Sequence, residues 1–264
     1  MAEFAAPNSA VLFELVDEHV ALVTLNRPEK RNAVNGEIAT GMDAIVRHIE
    51  ASPDIWVAVL ASSNDKVFCA GADLQAISEG RGLDLETEAG GFAGFVYYAR
   101  TKPWIAAPRG SALGGGLELC LACDLIVAAD DCRFGLPEVK RSLLAGAGGL
   151  SRLPNAIPLA IATEMVITGD PIDAARAYAL GLINRVVPAA SVVEEALALA
   201  RVIAANAPIA VRESMAIVRE AAIIGDRPAR DLVMPAYHRL FPTEDYAEGP
   251  RAFVEKRAPV WKNR

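Results

Sequence analysis

The stretch that decides the fold runs from Gly114 to Ala129 and reads GGGLELCLACDLIVAA. Three consecutive glycines open an apolar run of helical spacing, and DLIVAA at its end has the composition of a buried strand. Glycine is a costly residue with which to begin a helix, because it loses more backbone freedom on folding than any other residue. The run therefore predicts either a helix whose first N–H groups must stay uncrowded or a simple glycine hinge.

The uncrowded N–H groups at the start of this helix are the first candidate for function. The N-terminus of a helix carries partial positive charge and unpaired N–H donors, which together stabilise an anion. Glu118 follows within the first turn. Glu118 either acts on a ligand bound to those N–H donors or only interacts favourably with the positive end of the helix dipole. Both interpretations stay open at this point.

Two other segments have similar features. In Phe68-Cys69-Ala70-Gly71-Ala72-Asp73-Leu74, a predicted strand ends in small residues, which would allow a ligand close to the backbone; the alternative is a tight turn in which Asp73 caps a helix. In Phe134-Gly135-Leu136-Pro137-Glu138, an acid lies in a turn between apolar residues. Partial burial would raise the pKa of Glu138 into a range useful for proton transfer, whereas most glutamates in turns are solvated.

The hydrophobic pattern divides the chain into an α/β part and a helical part. The first 140 or so residues repeat strand, strand and helix, with a surface loop predicted over residues 79–91. After about Pro158 the pattern is mainly helical. The predicted strands are VLFELV, VALVTL, WVAVLAS, KVF, PWIAAP, DLIVAA and LINRVV, and the predicted helices are 35–50, FVYYART, GGGLELCLA, 158–168, 191–205, 208–224, 228–241 and 243–256.

Composition and charge exclude several classes of protein. The 264 residues are 53% hydrophobic with a net charge of −7, which is typical of a well-cored globular chain and argues against nucleic acid or an anionic membrane as partner. The N-terminus lacks the features of a secretory signal, so a cytoplasmic location is expected. The cysteines and histidines form no metal-binding pattern, which predicts buried structural thiols and packed or solvated imidazoles at Cys69, Cys120, Cys123, Cys132, His19, His48 and His238.

Taken together and in this order, the segments resemble the enoyl-CoA hydratase/isomerase (crotonase) superfamily. The resemblance covers nearly the whole chain and rests on LNRPEKRNAV, VFCAGADL, ALGGGLELCLACDLIVA, FGLPEV, AGAGGLSRLP, GLINRVV and AFVEKRAPVW. The phrase NAIPLAIATEMVITG particularly resembles the carnitinyl-CoA dehydratase branch. Two positions depart from the family pattern, Pro108-Arg109 and Ala145, and both flank the site segments.

The resemblance implies a fold and a set of roles. It implies a crotonase-like spiral of ββα units over residues 1–195 and a helical region over 196–264 that forms a homotrimer or homohexamer. The backbone N–H groups of Ala72 and Gly115 would bind a thioester oxygen, and Glu118 and Glu138 would be the two catalytic acids. The acyl-CoA would be bound by residues of four segments, of which the last comes from a neighbouring subunit: Lys30 and Arg31; Ala70, Ala72, Asp73 and Leu74; Gly115; Phe253 and Lys256.

The two glutamates favour one reaction among the family's several. Many relatives that isomerise, hydrolyse or dehalogenate lack one of the pair, so the expected activity is reversible hydration of a 2-enoyl-CoA. No metal or redox cofactor is expected, since coenzyme A is part of the substrate. The alternatives are an isomerase, a carnitinyl-CoA dehydratase, an acyl-CoA hydrolase, and an acyl-CoA binding protein with a decayed site. The acyl pocket is expected in the stretch from Leu74 to Arg100.

Overall fold

The computed structural model describes residues 4–264. Its centre is a six-stranded sheet with the strand order β1-β2-β3-β6-β8-β11, in which β1 and β2 are antiparallel and the later neighbours are parallel. A three-stranded sheet, β10-β9-β7, and the hairpin β4-β5 lie outside it. The strands are β1 Val11–Asp17, β2 Val20–Leu25, β3 Val57–Ser62, β4 Glu86–Thr87, β5 Gly91–Phe92, β6 Trp104–Ala106, β7 Ser111–Leu113, β8 Leu125–Ala129, β9 Arg133–Gly135, β10 Ile172–Asp173 and β11 Arg185–Val187.

Helices surround this sheet and dominate the C-terminal part of the chain. The arrangement confirms the predicted α/β core with a helical C-terminal region. The helices are α1 Gly36–Ala51, α2 Leu74–Ser78, α3 Gly115–Ala122, α4 Gly149–Ala156, α5 Leu159–Thr168, α6 Ala174–Ala179, α7 Val192–Ala204, α8 Pro208–Ile224, α9 Asp226–Ala229, α10 Val233–Leu240 and α11 Glu244–Glu255.

The central sheet is covered on both faces. All six residues of β3 are buried, as expected for a strand between two layers. Helix α1 packs its apolar stripe into the larger core cluster, and its first turn is capped by Asn35, whose side chain accepts a hydrogen bond from the Ile38 N–H. Helix α7 covers the opposite face through Ala196 and Ala200. Residues 35–50 were predicted as an amphipathic helix, and the structure confirms it.

Two predictions about the elements are wrong. The stretch FVYYART forms turns rather than a helix, because the Tyr97 N–H donates to the Gly90 carbonyl in the preceding hairpin turn at 2.9 Å instead of to a carbonyl one helical turn back. The segment 228–241 is not one helix but α9, a 3-10 turn at Arg230–Leu232 and α10. The boundary expected after residue 195 stays a prediction; it lies within α7, which packs against the sheet through Ala196 and Ala200.

The smaller sheet brings the three candidate segments to one place. Strands β7 and β9 are parallel, and Cys69 forms a parallel bridge to Ala112 of β7. Since parallel strands end at the same edge of a sheet, the chain following each of them emerges on the same side. The segments that follow are Gly71–Ala72, Gly114–Glu118 and Leu136–Glu138, which carry all the predicted catalytic groups.

No helix within residues 4–264 combines the length and apolarity needed to cross a membrane. The predicted buried thiols are confirmed: the four cysteines are free, with Cys69, Cys120 and Cys132 buried and Cys123 partly buried.

Candidate active site

Two backbone N–H groups meet where the first and second glycine-marked segments approach each other. A Cβ added to Gly71 would lie 3.1 Å from the nitrogen of Gly115, so the two backbones are almost in contact. Gly71 has φ of 94°, a conformation that L side chains rarely adopt. Within residues 4–264 the N–H groups of Ala72 and Gly115 donate no backbone hydrogen bond. They are therefore free to serve as a pair of donors to one oxygen.

Glu118 lies one turn into α3, and only 3% of its surface is exposed. Its Oε1 accepts a hydrogen bond of 2.9 Å from the backbone N–H of Gly149, at the start of α4. Burial raises the pKa of Glu118 to about 7; the charge of Glu138 also raises it, while the Gly149 N–H and the more distant Arg152 lower it. A carboxyl with a pKa near 7 exchanges a proton readily at neutral pH.

Glu138 reaches the same place from the other side. It lies in the 3-10 turn Pro137–Arg141, and a Cβ added to Gly114 would stand 2.8 Å from its Oε1. Gly114, with φ of 56°, must therefore be glycine for two reasons, its backbone conformation and the space that the carboxylate takes. Burial raises the pKa of Glu138, and its Oε2 is buried without a partner among residues 4–264. A buried polar atom left unpaired in this way is free to contact a substrate.

The segment LNRPEKRNAV makes polar contacts to the chain on either side of the Ala72 donor. Buried Asn32 donates hydrogen bonds to the Ser62 hydroxyl at 2.8 Å and to the Phe68 carbonyl at 2.9 Å. Arg27 contacts the Asp73 carboxylate at 3.3 Å. These contacts hold the chain before Gly71 in place, so that the backbone turn arrives pre-formed beside α3.

A cavity of about 650 Å³ opens over the donors and the two acids. Eight of the predicted site residues line it: Lys30, Arg31, Ala70, Ala72, Leu74, Gly115, Glu118 and Glu138. The expected acyl pocket is also partly here, since the cavity wall includes Leu74, Ile77, Gly82, Leu85, Glu86 and Phe92. The rest of that wall comes from Leu143, Leu144, Gly146 and Ala147, which lie outside the predicted stretch.

Three of the predicted binding residues lie elsewhere. Asp73 does not line the cavity; its carboxylate caps α2 by accepting from the N–H groups of Gln75 and Ala76, which is the alternative that the sequence left open. Phe253 and Lys256 are on α11 and its C-terminal end, away from the cavity of their own chain, and 85% of Phe253 is exposed. Their assignment to a neighbouring subunit's site stays a prediction.

The two departures from the family pattern also stay out of the cavity wall. Arg109 pairs with Asp65, and Ala145 is buried beside the turn before α4. Sequence reasoning missed the Gly149 N–H that holds Glu118. The signal for it was the glycine run at residues 146–149, which fits no dinucleotide-binding pattern and required another explanation.

The arrangement is suited to the chemistry of a thioester. Two N–H donors can bind a carbonyl oxygen and stabilise the negative charge that develops on it when the neighbouring carbon loses or gains a proton. Two carboxyls whose pKa values are raised by burial flank the same point, and each is placed to move one proton.

Comparison with known proteins agrees with this geometry. The sequence model of the family described as enoyl-CoA hydratase/isomerase matches residues 16–264. The chain is 40% identical over 247 residues to a carnitinyl-CoA dehydratase from Salmonella typhi, a match that covers 92% of this chain and 94% of the relative.

Solved structures give the same result. An enoyl-CoA hydratase from Mycobacterium tuberculosis H37Rv superposes with a TM-score of 0.91 at 41% identity, covering 97% of this chain and 99% of that one. A carnitinyl-CoA hydratase from Mycobacterium avium superposes with a TM-score of 0.78 at 45% identity, covering 97% of this chain and all of that one. The protein therefore belongs to the enoyl-CoA hydratase/isomerase family and is an enzyme of the crotonase superfamily.

Proposed function

We propose that the protein adds water reversibly across the 2,3 double bond of a 2-enoyl-CoA thioester, in fatty-acid or related acyl-CoA metabolism. The observation that carries this proposal is the convergence of Glu118 and Glu138 on the two unpaired N–H groups. An isomerisation needs one acid to move a proton between two carbons, whereas hydration needs one group for the water and another for the α-carbon.

The first step of the proposed reaction is activation of the thioester. Its carbonyl oxygen accepts hydrogen bonds from the N–H groups of Ala72 and Gly115, which draws electron density away from the double bond. The β-carbon becomes open to attack, and the enolate oxygen that forms stays bound to the same two donors. Removal of one such donor in other enzymes costs about 10²–10³ in turnover.

The two acids then divide the proton transfers. Ionised Glu118, oriented by the Gly149 N–H at 2.9 Å, takes a proton from the water that attacks the β-carbon. Protonated Glu138 gives its proton to the α-carbon, and dehydration runs through the same steps in reverse. The raised pKa values support these roles: Glu118, with a pKa of about 7, can change its ionisation state near neutral pH, and burial raises the pKa of Glu138, which favours its protonated form. No metal or redox cofactor takes part in any of these steps.

A second candidate is the dehydration of carnitinyl-CoA, which is the same chemistry on a particular acyl group. It is favoured by 40% identity over 92% of the chain to a protein of that name. Both candidates use the same donors and acids, so they differ only in what the acyl end of the cavity accepts.

The coenzyme A part of the substrate would be held at the Lys30 and Arg31 end of the cavity. Both residues line the cavity. The Arg31 carbonyl accepts a hydrogen bond from the Ala70 N–H at 3.1 Å, which fixes these two basic residues next to the segment that carries the Ala72 donor. In an acidic protein, such a local group of cations is what the ligand's phosphates require. Phe253 and Lys256 from a neighbouring subunit of a trimer or hexamer would complete the site, and the active protein is expected in the cytoplasm.

A panel of enoyl-CoA thioesters tests the proposal. Hydration removes the conjugated double bond and its ultraviolet absorbance without releasing a thiol. An isomerase would change the absorbance without adding water, and a hydrolase would release free coenzyme A. Loss of absorbance with a matching yield of 3-hydroxyacyl-CoA supports hydration, and thiol release or an unhydrated isomer as the main product would contradict it.

A further inference from the structure

The side chain of Tyr97 joins the β4–β5 hairpin to the glycine turn before α4. Its hydroxyl donates a hydrogen bond to the Gly146 carbonyl at 2.9 Å. Its backbone N–H donates to the Gly90 carbonyl at 2.9 Å, and its ring lies on Gly91, where an added Cβ would meet the ring at 2.5 Å. The hairpin turn therefore fixes the position of this side chain, although 55% of Tyr97 is exposed.

The loop that Tyr97 contacts, residues 142–148, connects the two catalytic acids. Near its start, the Leu143 N–H donates to the Glu138 carbonyl at 3.1 Å. Directly after its end, the Gly149 N–H donates to the Glu118 carboxylate at 2.9 Å. Four residues of the loop also line the cavity: Leu143, Leu144, Gly146 and Ala147. A change in the path of this loop would thus reach both the acids and the cavity wall.

One peptide group of this loop lies between Tyr97 and Glu118. The carbonyl of Gly146 and the N–H of Ala147 belong to the same planar trans peptide, so they point in opposite directions. Tyr97 binds the carbonyl side. On the other side, the Ala147 N–H acts on the Glu118 carboxylate and lowers its pKa, less strongly than the Gly149 N–H does. A hydrogen bond to the carbonyl fixes the plane of the peptide and polarises its N–H.

We propose that Tyr97 is a positioning residue: by binding the Gly146 carbonyl, its hydroxyl fixes the peptide whose N–H faces Glu118 and so holds this acid in place for proton transfer. The inference rests on the proposed function, in which Glu118 takes a proton from water. Without the hydroxyl the peptide can rotate, which leaves the Gly149 N–H as the firmly placed donor to Glu118. The titratable groups that also act on Glu118 come from three other segments: Glu138 on its 3-10 turn, Arg152 on α4 and Cys69 in the first donor segment.

Tyr97→Phe removes the hydroxyl and keeps the rest of the side chain. The remaining ring still packs on Gly91 and still faces the Arg152 guanidinium, which lies 5.3 Å from the ring centre. The charge that Arg152 places near Glu118 is therefore unchanged. Tyr178→Phe is the matched control, because Tyr178 on α6 is 56% exposed and its hydroxyl makes no hydrogen bond within residues 4–264.

Turnover of a 2-enoyl-CoA by Tyr97→Phe should be about two- to fivefold slower, since a net hydrogen bond contributes a factor of about 2–10 and water can partly replace this exposed one. KM should change little, because Tyr97 does not line the cavity. The limb of kcat/KM against pH that reports Glu118 should move to higher pH, because the N–H that lowers its pKa is less well held.

Tyr178→Phe should leave both the rate and this limb unchanged. A wild-type rate in Tyr97→Phe would overturn the inference. A slower rate with the limb in its original place would also overturn it, because that result would indicate a structural role alone. The same changes in Tyr178→Phe would do so too, because they would show a general effect of losing a surface hydroxyl.

The ionisation of Glu118 in the substrate-free protein separates this inference from the proposed function. Its carboxyl band is identified in infrared pH-difference spectra as the band that Glu118→Gln removes. The midpoint of this band should lie near pH 7 in the wild type and at higher pH in Tyr97→Phe. If no 2-enoyl-CoA is hydrated while the midpoint moves, the proposed function fails and the effect of Tyr97 on Glu118 stands. If hydration occurs and the midpoint is the same in both proteins, hydration stands and the inference about Tyr97 is wrong.

Discussion

The side chain of Glu118 is held by the backbone N–H of Gly149, at an N···Oε1 distance of 2.9 Å. The two residues come from different helices, α3 and α4, so this contact fixes the acid relative to both of them. A hydrogen bond to the carboxylate opposes the effect of burial, and the balance leaves the pKa of Glu118 at about 7 rather than higher. The glycine turn before α4 is thus part of the acid–base machinery.

This balance predicts how activity depends on pH. One limb of the profile of kcat/KM against pH should have its midpoint near pH 7, because Glu118 must change its ionisation state there. Arg152 lowers the pKa of Glu118, so Arg152→Leu should move that limb to higher pH, whereas Arg152→Lys, which keeps the charge, should move it less. A limb that stays in place in both variants would show that Arg152 does not act on Glu118.

The close approach of Gly114 to Glu138 predicts an effect of a single methyl group. In Gly114→Ala the new Cβ would stand 2.8 Å from Oε1 of Glu138, so the acid must move and turnover should fall by about 10²-fold or more. Gly181→Ala is the matched control, since Gly181 also has a positive φ, 81°, but nothing lies within 4 Å of its added Cβ. Backbone strain should lower the free energy of unfolding of both variants by a similar amount. Only Gly114→Ala should also have a lower turnover rate. Equal rates would contradict the placement of Glu138.

The segments that carry chemistry could be predicted from the sequence because their requirements are local. Glycine at Gly114, a helix start before Glu118 and a Leu-Pro turn before Glu138 each appear directly in the chain. The Gly149 contact could not be predicted from the residues alone, since it joins positions 31 residues apart through a backbone group that no side chain marks. FVYYART was misassigned for a related reason: the Tyr97 N–H bonds to the carbonyl of Gly90 in the β4–β5 turn, and a local hydrophobic pattern cannot show such a partner.

The predicted trimer or hexamer depends on contacts with other copies of the chain, which the sequence of one chain does not show. The last helices expose large apolar side chains, with 44% of Phe241, 85% of Phe253 and 78% of Val254 accessible. We expect this surface to be covered in a trimer or hexamer, and sedimentation at micromolar concentration should give a mass of three or six chains. A monomer at that concentration would contradict both the assembly and a coenzyme A site shared between subunits.

The shared site makes a separate prediction about Lys256. Because its ammonium would face a phosphate of coenzyme A, Lys256→Glu should weaken coenzyme A binding, and the wild-type affinity should decline more steeply with salt than that of the variant. Lys262→Glu is a suitable control, since Lys262 already pairs with Glu244 at 3.0 Å within its own chain. Unchanged affinity of Lys256→Glu, in a protein that still assembles, would remove Lys256 from the site.

Turnover of a 2-enoyl-CoA by Glu118→Gln, Glu138→Gln and the double variant tests most directly whether both acids serve one hydration. Glutamine keeps the size of each side chain and removes its proton-transfer group, so each single change should lower kcat by about 10²–10⁴-fold with little change in substrate binding. The double variant should lose less than the product of the two, because both acids act on one transition state. If both single variants hydrate the thioester at the wild-type rate, the two-acid mechanism is wrong; if only one of them is impaired, the site works with a single acid, as an isomerase would.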